Sequence, residues 1–218
     1  MSTPVDICNP ALARLGDEAN VQSISPPDGS TQAALCAQFY PIARDTLLSM
    51  RQWTFATVRA QLALLVGDTY HSPWAYAYAL PNQCLAVLKI LEMDAPDDVA
   101  MSGSVTGQPY RVESLGDGQV VVLTNVADAA AVYTRRVEDT AKFSPLFVDA
   151  MSWLLASYLA GAIIKGDAGR TASRATTEAF QQVLGTASMR DAAQQYVPAR
   201  ASASWISARG GRRRRLAR

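Results

Sequence analysis

The chain has 218 residues, of which 49% are hydrophobic and only 18% charged, enough for one good hydrophobic core or two small ones. That composition excludes an intrinsically disordered chain, and the low charge fits either a protein with subunit interfaces or simply an alanine-rich sequence. The formal net charge of +1 hides an asymmetry: Arg200, Arg209, Arg212, Arg213, Arg214, Arg215 and Arg218 fall between Tyr196 and the C-terminus with no acid among them, leaving 13 basic against 19 acidic residues in positions 1–195. An acidic body of about −6 precedes a basic arm of +7.

The first residues, Met1-Ser2-Thr3-Pro4-Val5-Asp6, lack a basic segment followed by an apolar run, so no signal peptide is expected. They read as a helix start over about 4–15, with Thr3 as cap, Pro4 in the first turn and Asp6 completing a capping-box pattern. Ser25-Pro26-Pro27-Asp28-Gly29 is a stiff loop before a second helix over about 30–50. In that helix Leu35, Phe39, Ile42, Ala43, Leu47 and Met50 recur at helical spacing, with Arg44, Asp45, Ser49 and Arg51 on the other side. Trp53 and Phe55 mark its end.

From about Gly67 to Asp139 the pattern becomes short and interrupted. Trp74-Ala75-Tyr76-Ala77-Tyr78-Ala79-Leu80 nearly alternates and stops at Pro81, as a strand would, and 85–93 is a strand-length apolar run. Segments 110–115 and 119–124 flank Gly116-Asp117-Gly118, a hairpin turn signal, and 130–137 reads as a further strand. Pro96-Asp97-Asp98 and Ser102-Gly103-Ser104 read as loops. One small antiparallel sheet between helices is the expectation. Helical period returns at Ser144-Pro145, cap and first position, with a broad apolar face of Phe147, Met151, Leu154, Leu155, Tyr158, Ala162 and Ile163. Segment 146–164 contains Asp149, and its charge-free run of 15 residues is nearer a buried helix than the ~20 residues of a membrane span, so no membrane insertion is expected. Gly166-Asp167-Ala168-Gly169 is expected to end that helix, and a more polar one follows over about 171–195.

The predicted fold is therefore α+β: a discontinuous helical bundle (1–66 and 141–197) with an inserted small antiparallel β-sheet (67–140) and an extended, flexible basic C-terminal arm (198–218). Neither helical part has enough apolar surface to form a core alone.

Candidate chemistry is sparse. His71 is the only histidine and lies in a polar gap, Gly103-Ser104-Val105-Thr106-Gly107 has the wrong spacing for a nucleophile elbow, and no phosphate-cradling glycine loop is present. Cys8, Cys36 and Cys84 are odd in number and sit in apolar surroundings, suggesting neither a disulfide framework nor a metal site. Asp97-Asp98 reads as a solvated loop; Glu138-Asp139 could in principle supply a glycosidase-type acid and nucleophile. No enzyme and no cofactor are expected. Four adjacent guanidinium groups at 212–215, after Gly210-Gly211, call for phosphates or a concentrated acidic surface, unless the arm is only a solubilising tail.

The order of blocks resembles the head-to-tail adaptor family of short-tailed bacteriophages, also called tail tubular protein A. The likeness runs over roughly residues 5–195. It begins at Ile7-Cys8-Asn9-Pro10-Ala11-Leu12-Ala13-Arg14-Leu15-Gly16 and continues through 39–64, then Trp74-Ala75-Tyr76-Ala77-Tyr78 with Leu80-Pro81-Asn82-Gln83-Cys84. It returns at Tyr133, Val137-Glu138-Asp139, Phe143-Ser144-Pro145-Leu146-Phe147 and Leu154-Leu155-Ala156. The resemblance implies a virion structural protein, made in the host cytoplasm, that forms a homo-oligomeric ring, expected to be a dodecamer. Such a ring would join the capsid portal protein to the tail nozzle (tail tubular protein B) and let DNA pass through its lumen without sequence-specific binding, with no small-molecule substrate. Within this reading Phe39, Trp53, Trp74, Tyr78 and Phe147 form the structural core, with Trp53, Trp74 and Tyr78 pinning helix to sheet. Trp205, Ile206, Arg209, Arg212, Arg213, Arg214 and Arg215 form a portal-binding arm. The alternative is a nucleic-acid-binding protein that uses the basic arm directly.

Overall fold

A computed structural model describes residues 2–18, 20–65, 73–93, 107–116 and 118–194. The predicted box at the N-terminus forms: the Thr3 N–H donates to Asp6 Oδ2 (2.8 Å) and the Asp6 N–H to Thr3 Oγ1 (3.2 Å), launching α1 (Val5–Ala13). Ser30 caps α2 (Thr31–Met50) by accepting the Ala33 N–H, and Ser144 caps α3 (Pro145–Ile163) by accepting the Phe147 N–H. The last helix, α4, spans Gly166–Ala192.

Two features of the helices differ from the sequence expectation. On α2 the deepest line is Ala33, Cys36, Tyr40, Ala43 and Leu47, while Phe39 and Leu35 are half-buried and Ile42 and Met50 are 51% and 45% exposed. Arg44, placed on the outer side by periodicity, is only 9% exposed. Of the face expected from periodicity, Ala43 and Leu47 are fully buried and Leu35 and Phe39 pack at its margin, while Ile42 and Met50 fall outside it and Ala33, Cys36 and Tyr40 complete it. Gly166 to Gly169 does not end α3 but forms the first turn of α4. The reversal is made by Lys165 and Gly166, with φ of 60° and 59°, and a Cβ on Gly169 would stand 3.1 Å from the Ala160 carbonyl oxygen, so glycine lets the two helices meet closely.

All four helices of the described residues feed one core that includes Ile7, Leu12, Leu47, Trp53, Phe147 and Phe180. Phe147 is its hub: Trp53 lies edge-on at 5.0 Å and 89°, Phe55 at 5.0 Å and 82°, and Phe143 at 4.7 Å. The Trp53 indole N–H, fully buried, donates to the Leu47 carbonyl at 2.9 Å. Helix α3 has ten buried residues, seven of which belong to this core. By length and composition it could cross a membrane; half of its most apolar window is buried against the other helices.

The strand region holds two three-stranded antiparallel sheets instead of the single sheet expected. The strands are β1 (Thr57–Gln61), β2 (Tyr76–Ala79), β3 (Cys84–Glu92), β4 (Tyr110–Ser114), β5 (Val120–Thr124) and β6 (Ala129–Arg135), ordered β1-β6-β3 and β2-β5-β4. Strand β1 lies inside the 1–66 stretch expected to be helical. The β4–β5 hairpin follows the turn signal, closed by the Gly118 N–H on the Leu115 carbonyl with Gly118 at φ 86°; Asp117 lies outside the described residues.

The two sheets are stitched at both sides into a barrel-like unit. Beyond β1, Leu62 still donates to Ala129 on the first sheet, while Ala63 and Leu65 bond Ala79 and Ala77 on β2, each at 2.9 Å. On the opposite side the Gln108 N–H donates to the Ile90 carbonyl at 2.8 Å. These links cover strand edges that would otherwise present unpaired backbone groups. Tyr78, Ile90, Val122, Ala131 and Tyr133 fill the interior, and the Tyr78 hydroxyl donates to the Val126 carbonyl at 2.8 Å. Trp74 packs elsewhere, half-buried on the outer face of the second sheet over Ala77, Val121 and Leu123. Trp53, Tyr78 and Trp74 therefore belong to three separate clusters instead of pinning helix to sheet together.

In urea unfolding, Trp53→Ala is expected to lower stability by ~3–5 kcal/mol and Trp74→Ala by clearly less; equal losses would mean that the three clusters melt as one packing unit. The loop before α2 gives a pH-dependent prediction. The Ser30 hydroxyl and the Gln22 and Ser30 N–H groups all donate to Asp28 and pull its pKa from 3.8 to about 2. A depressed folded-state pKa means that its stabilisation is complete above the ordinary value and fades as pH falls toward about 2. Asp28→Asn should lower the melting temperature at pH 7, with the difference from wild type shrinking at the acid end of that window.

Candidate assembly surfaces

The last turn of α4 is where the chain leaves the described body toward its arm, and it is anchored by a buried carboxylate. Asp191, 4% exposed, accepts the Thr54 N–H on one oxygen and the Thr54 hydroxyl on the other, both at 2.8 Å. Thr54 opens the short 3₁₀ turn between α2 and β1, so the root of the arm is fixed at the seam between helices and strands. Beside it a groove of about 440 Å³ is lined by Ser144, Pro145, Leu146, Arg190 and Gln194, and Met189 on the same turn is 70% exposed. The arm residues singled out from the sequence, Trp205, Ile206, Arg209 and Arg212 to Arg215, lie outside the described residues, as do His71 and Asp97-Asp98.

A second polar arrangement holds the seam from the other side. Arg44 Nε donates to Asp45 Oδ1 at 2.8 Å, and its terminal nitrogen lies 3.8 Å from Glu138 Oε1. Arg136, just past β6, brings its Nε to 2.9 Å from Asp45 Oδ2, at an angle that makes this an ion contact without a hydrogen bond. Asp45 thus bridges a helix guanidinium and a strand-end guanidinium. Glu138 and Asp139, the pair weighed for acid and nucleophile, have structural partners here: Glu138 faces Arg44, while Asp139 accepts the Ala141 N–H at 3.0 Å and lies 3.7 Å from Lys142 Nζ. Nearby, burial raises the Tyr40 hydroxyl above its usual pKa, and that hydroxyl has no hydrogen-bond partner among the described residues.

Arg14 ties α1 to α3, donating to the Asp149 carboxylate and the Ser152 hydroxyl and lying 4.1 Å from the Trp153 ring centroid. Cys8 and Cys36 are buried free thiols; contact with Cys36 and burial push the Cys8 thiol well above its usual pKa, so it packs as a small apolar group. Among the described residues no group of three or more histidine, cysteine or carboxylate side chains could hold a metal ion.

Two more hollows lie on the surface. At the barrel end away from the helices, a cleft of about 750 Å³ is lined by Gln61, Glu92, Met93, Gln108, Asn125, Asp128 and their neighbours. Gln108 Nε2 donates to Glu92 Oε1 at 3.4 Å, and Asn125 Oδ1 accepts the Ala75 N–H at 2.8 Å. Between α3 and α4 a groove of about 390 Å³ carries Ser157, Tyr158, Arg170 and Arg174. Sequence reasoning singled out neither Asp191 nor the Asp45–Arg136 contact. Their partners lie more than 90 positions away, and the only local signal was a carboxylate at the polar end of a helix.

No protein-family model matches this chain, and no curated protein matches it.

Asp191→Ala is expected to destabilise the protein by ~1–3 kcal/mol, because it leaves the Thr54 donors without their acceptor. Amide hydrogen exchange at Thr54 and through the last turn of α4 should accelerate; unchanged exchange there would show that the root of the arm is held by other contacts.

Proposed function

We propose that this protein is a virion structural component, a head-to-tail adaptor whose copies form a ring, expected to be a dodecamer, between the portal of a capsid and the nozzle of a short tail. DNA would pass through the lumen during packaging retention and ejection. The reading starts from the order of sequence blocks described above. The observation that carries it furthest is architectural: helices on either side of the strand region share one core, and the basic arm departs from the last of them beside the seam. The finer description that suits this function is a discontinuous helical bundle with a β insertion and an extended basic arm.

Charge agrees with the reading. A body of about −6, repeated around a ring, surrounds a channel with like charge and discourages duplex from sticking, within the roughly 8 Å over which salt leaves the field effective. The arm would dock on the portal through Trp205 and Ile206 with the arginines behind them. One arm ordering on contact binds weakly, whereas a ring of arms holds jointly without any arm being tight.

A second reading, direct binding of nucleic acid through the arm, is favoured by the four adjacent arginines at 212–215 and opposed by the acidic body. It requires affinity that falls linearly in log–log terms with salt.

Mass photometry of the protein with and without portal rings, at two salt concentrations, tests the choice. Addition to the portal in discrete multiples is expected, and removal of residues 198–218 should abolish that attachment while sparing assembly among copies. Attachment that survives the truncation would remove the arm from the interface; a protein that ignores the portal and binds DNA in a salt-sensitive way would replace the adaptor reading altogether.

A further inference from the structure

The cleft at the far end of the barrel has a lining suited to a cation. Glu92 and Asp128 present carboxylates, with the Gln108 amide bonded to Glu92, the Asn125 amide oxygen bonded to the Ala75 N–H, and Met93, 48% exposed, as an apolar wall. No lysine or arginine is among the described residues that line it. Glu92 and Asp128 make no ion pair among the described residues, so both charges are available.

The same chain carries the complementary segment. Residues 198–218 contain seven arginines and no acid. From Gln194, the last described residue, to Arg212 is 18 residues, which can span up to roughly 60 Å at ~3.3 Å each. The root of the arm sits at Thr54, three residues before β1, and the cleft lies at the opposite end of that strand, whose five residues rise only roughly 17 Å. The arm reaches the cleft of its own body with length to spare.

We propose that in the unassembled protein the arm folds back in cis and seats the guanidinium groups of the 212–215 run against Glu92 and Asp128. Guanidinium and carboxylate match as planar, two-point partners. Two such pairs at a surface are weak for a free peptide, but the chain that tethers them supplies an effective concentration in the ~mM range, which populates the contact in part. The arm is then withheld from other anions until a partner offers a larger acidic surface. This inference stands on the arm and the cleft alone; the portal of the adaptor reading enters only as a competitor.

The test uses the full-length, ¹⁵N-labelled protein. Amide signals of Gln61, Gln108, Asn125 and Asp128 are compared between wild type and a variant with Arg212, Arg213, Arg214 and Arg215 each replaced by Gln. They should shift, and adding salt to about 1 M, where screening acts beyond ~3 Å, should move the wild-type signals toward the variant positions. In the Glu92→Gln/Asp128→Asn double variant trypsin should cut the 212–215 run about twofold faster than in wild type, because cleavage follows the released fraction and the tethered contact is about half populated. Asn tolerates the positive φ of 51° at position 128, so the turn is retained. Signals that stay in place when the arginines are removed, or trypsin rates that do not change, overturn the proposal. Shifts that grow with protein concentration also overturn it, in favour of docking between copies. A failed portal pull-down leaves these spectra unaffected, so loss of the adaptor reading is separately visible.

Discussion

The chain leaves its helical part at Trp53 and returns to it at Phe143, and both ends of that excursion meet on one ring, Phe147. Closing a loop of about 90 residues on an otherwise open chain would cost roughly 4 kcal/mol plus a constant. The aromatic pairs among Trp53, Phe55, Phe143 and Phe147 contribute ~0.5–1.5 kcal/mol each beyond burial, a total of the same order. The barrel reduces the opposing term by itself, because β1 and β6 pair directly, Thr57 opposite Thr134, and so deliver the two chain ends side by side. Each part lowers the closure cost of the other. That mutual dependence lets helices far apart in sequence share one core.

The polar contacts at the seam convert this closure into a defined orientation. Apolar packing alone fixes distance better than rotation, since aromatic contacts tolerate a range of angles. Asp45 sits between a guanidinium from α2 and one from the end of β6, and Asp191 grips the backbone and side chain of Thr54. A single buried guanidinium such as Arg44 would be a liability without such partners. Here two contacts on different sides of the seam hold the barrel against the bundle and, through α4, set where the arm begins.

How much of this was legible in the sequence follows from how local each signal is. The Thr3–Asp6 box and the Ser144 cap were readable because each involves residues three apart, whereas Ser30, taken as the first residue of the second helix, is its cap. The buried face of α2 was legible only in part: Ala43 and Leu47 were in the expected stripe, whereas Ala33 and Cys36, small residues with little periodic signal, were not, and Ile42 stays exposed. Strand β1, Thr-Val-Arg-Ala-Gln, does alternate, with Val58 and Ala60 packed on the barrel cluster, but five residues inside a stretch read as helical are a short signal, and the strand is completed by β6 pairing with it from 69 to 77 positions away. The division into two sheets was equally hidden, since β6 serves β1 and β3 while β5 serves β2 and β4. Of the candidate sites, the charge of the arm was plain from composition. The barrel-end cleft was not, because its lining is gathered from the ends of four strands and the β5–β6 turn.

Charge separation within one chain has a consequence for assembly that neither half has alone. A body of −6 and an arm of +7 nearly cancel, so an isolated copy has little net field with which to repel other copies at long range. In the proposed ring the arms leave their own bodies for a common partner, and the acidic surfaces they had neutralised become exposed together. In such a ring the repulsion among those bodies would grow with each subunit added and would have to be outweighed by contacts between the bodies themselves, while the arms would supply the attachment to the capsid end. Assembly and attachment would then rest on different parts of the chain, the body for the first and the arm for the second.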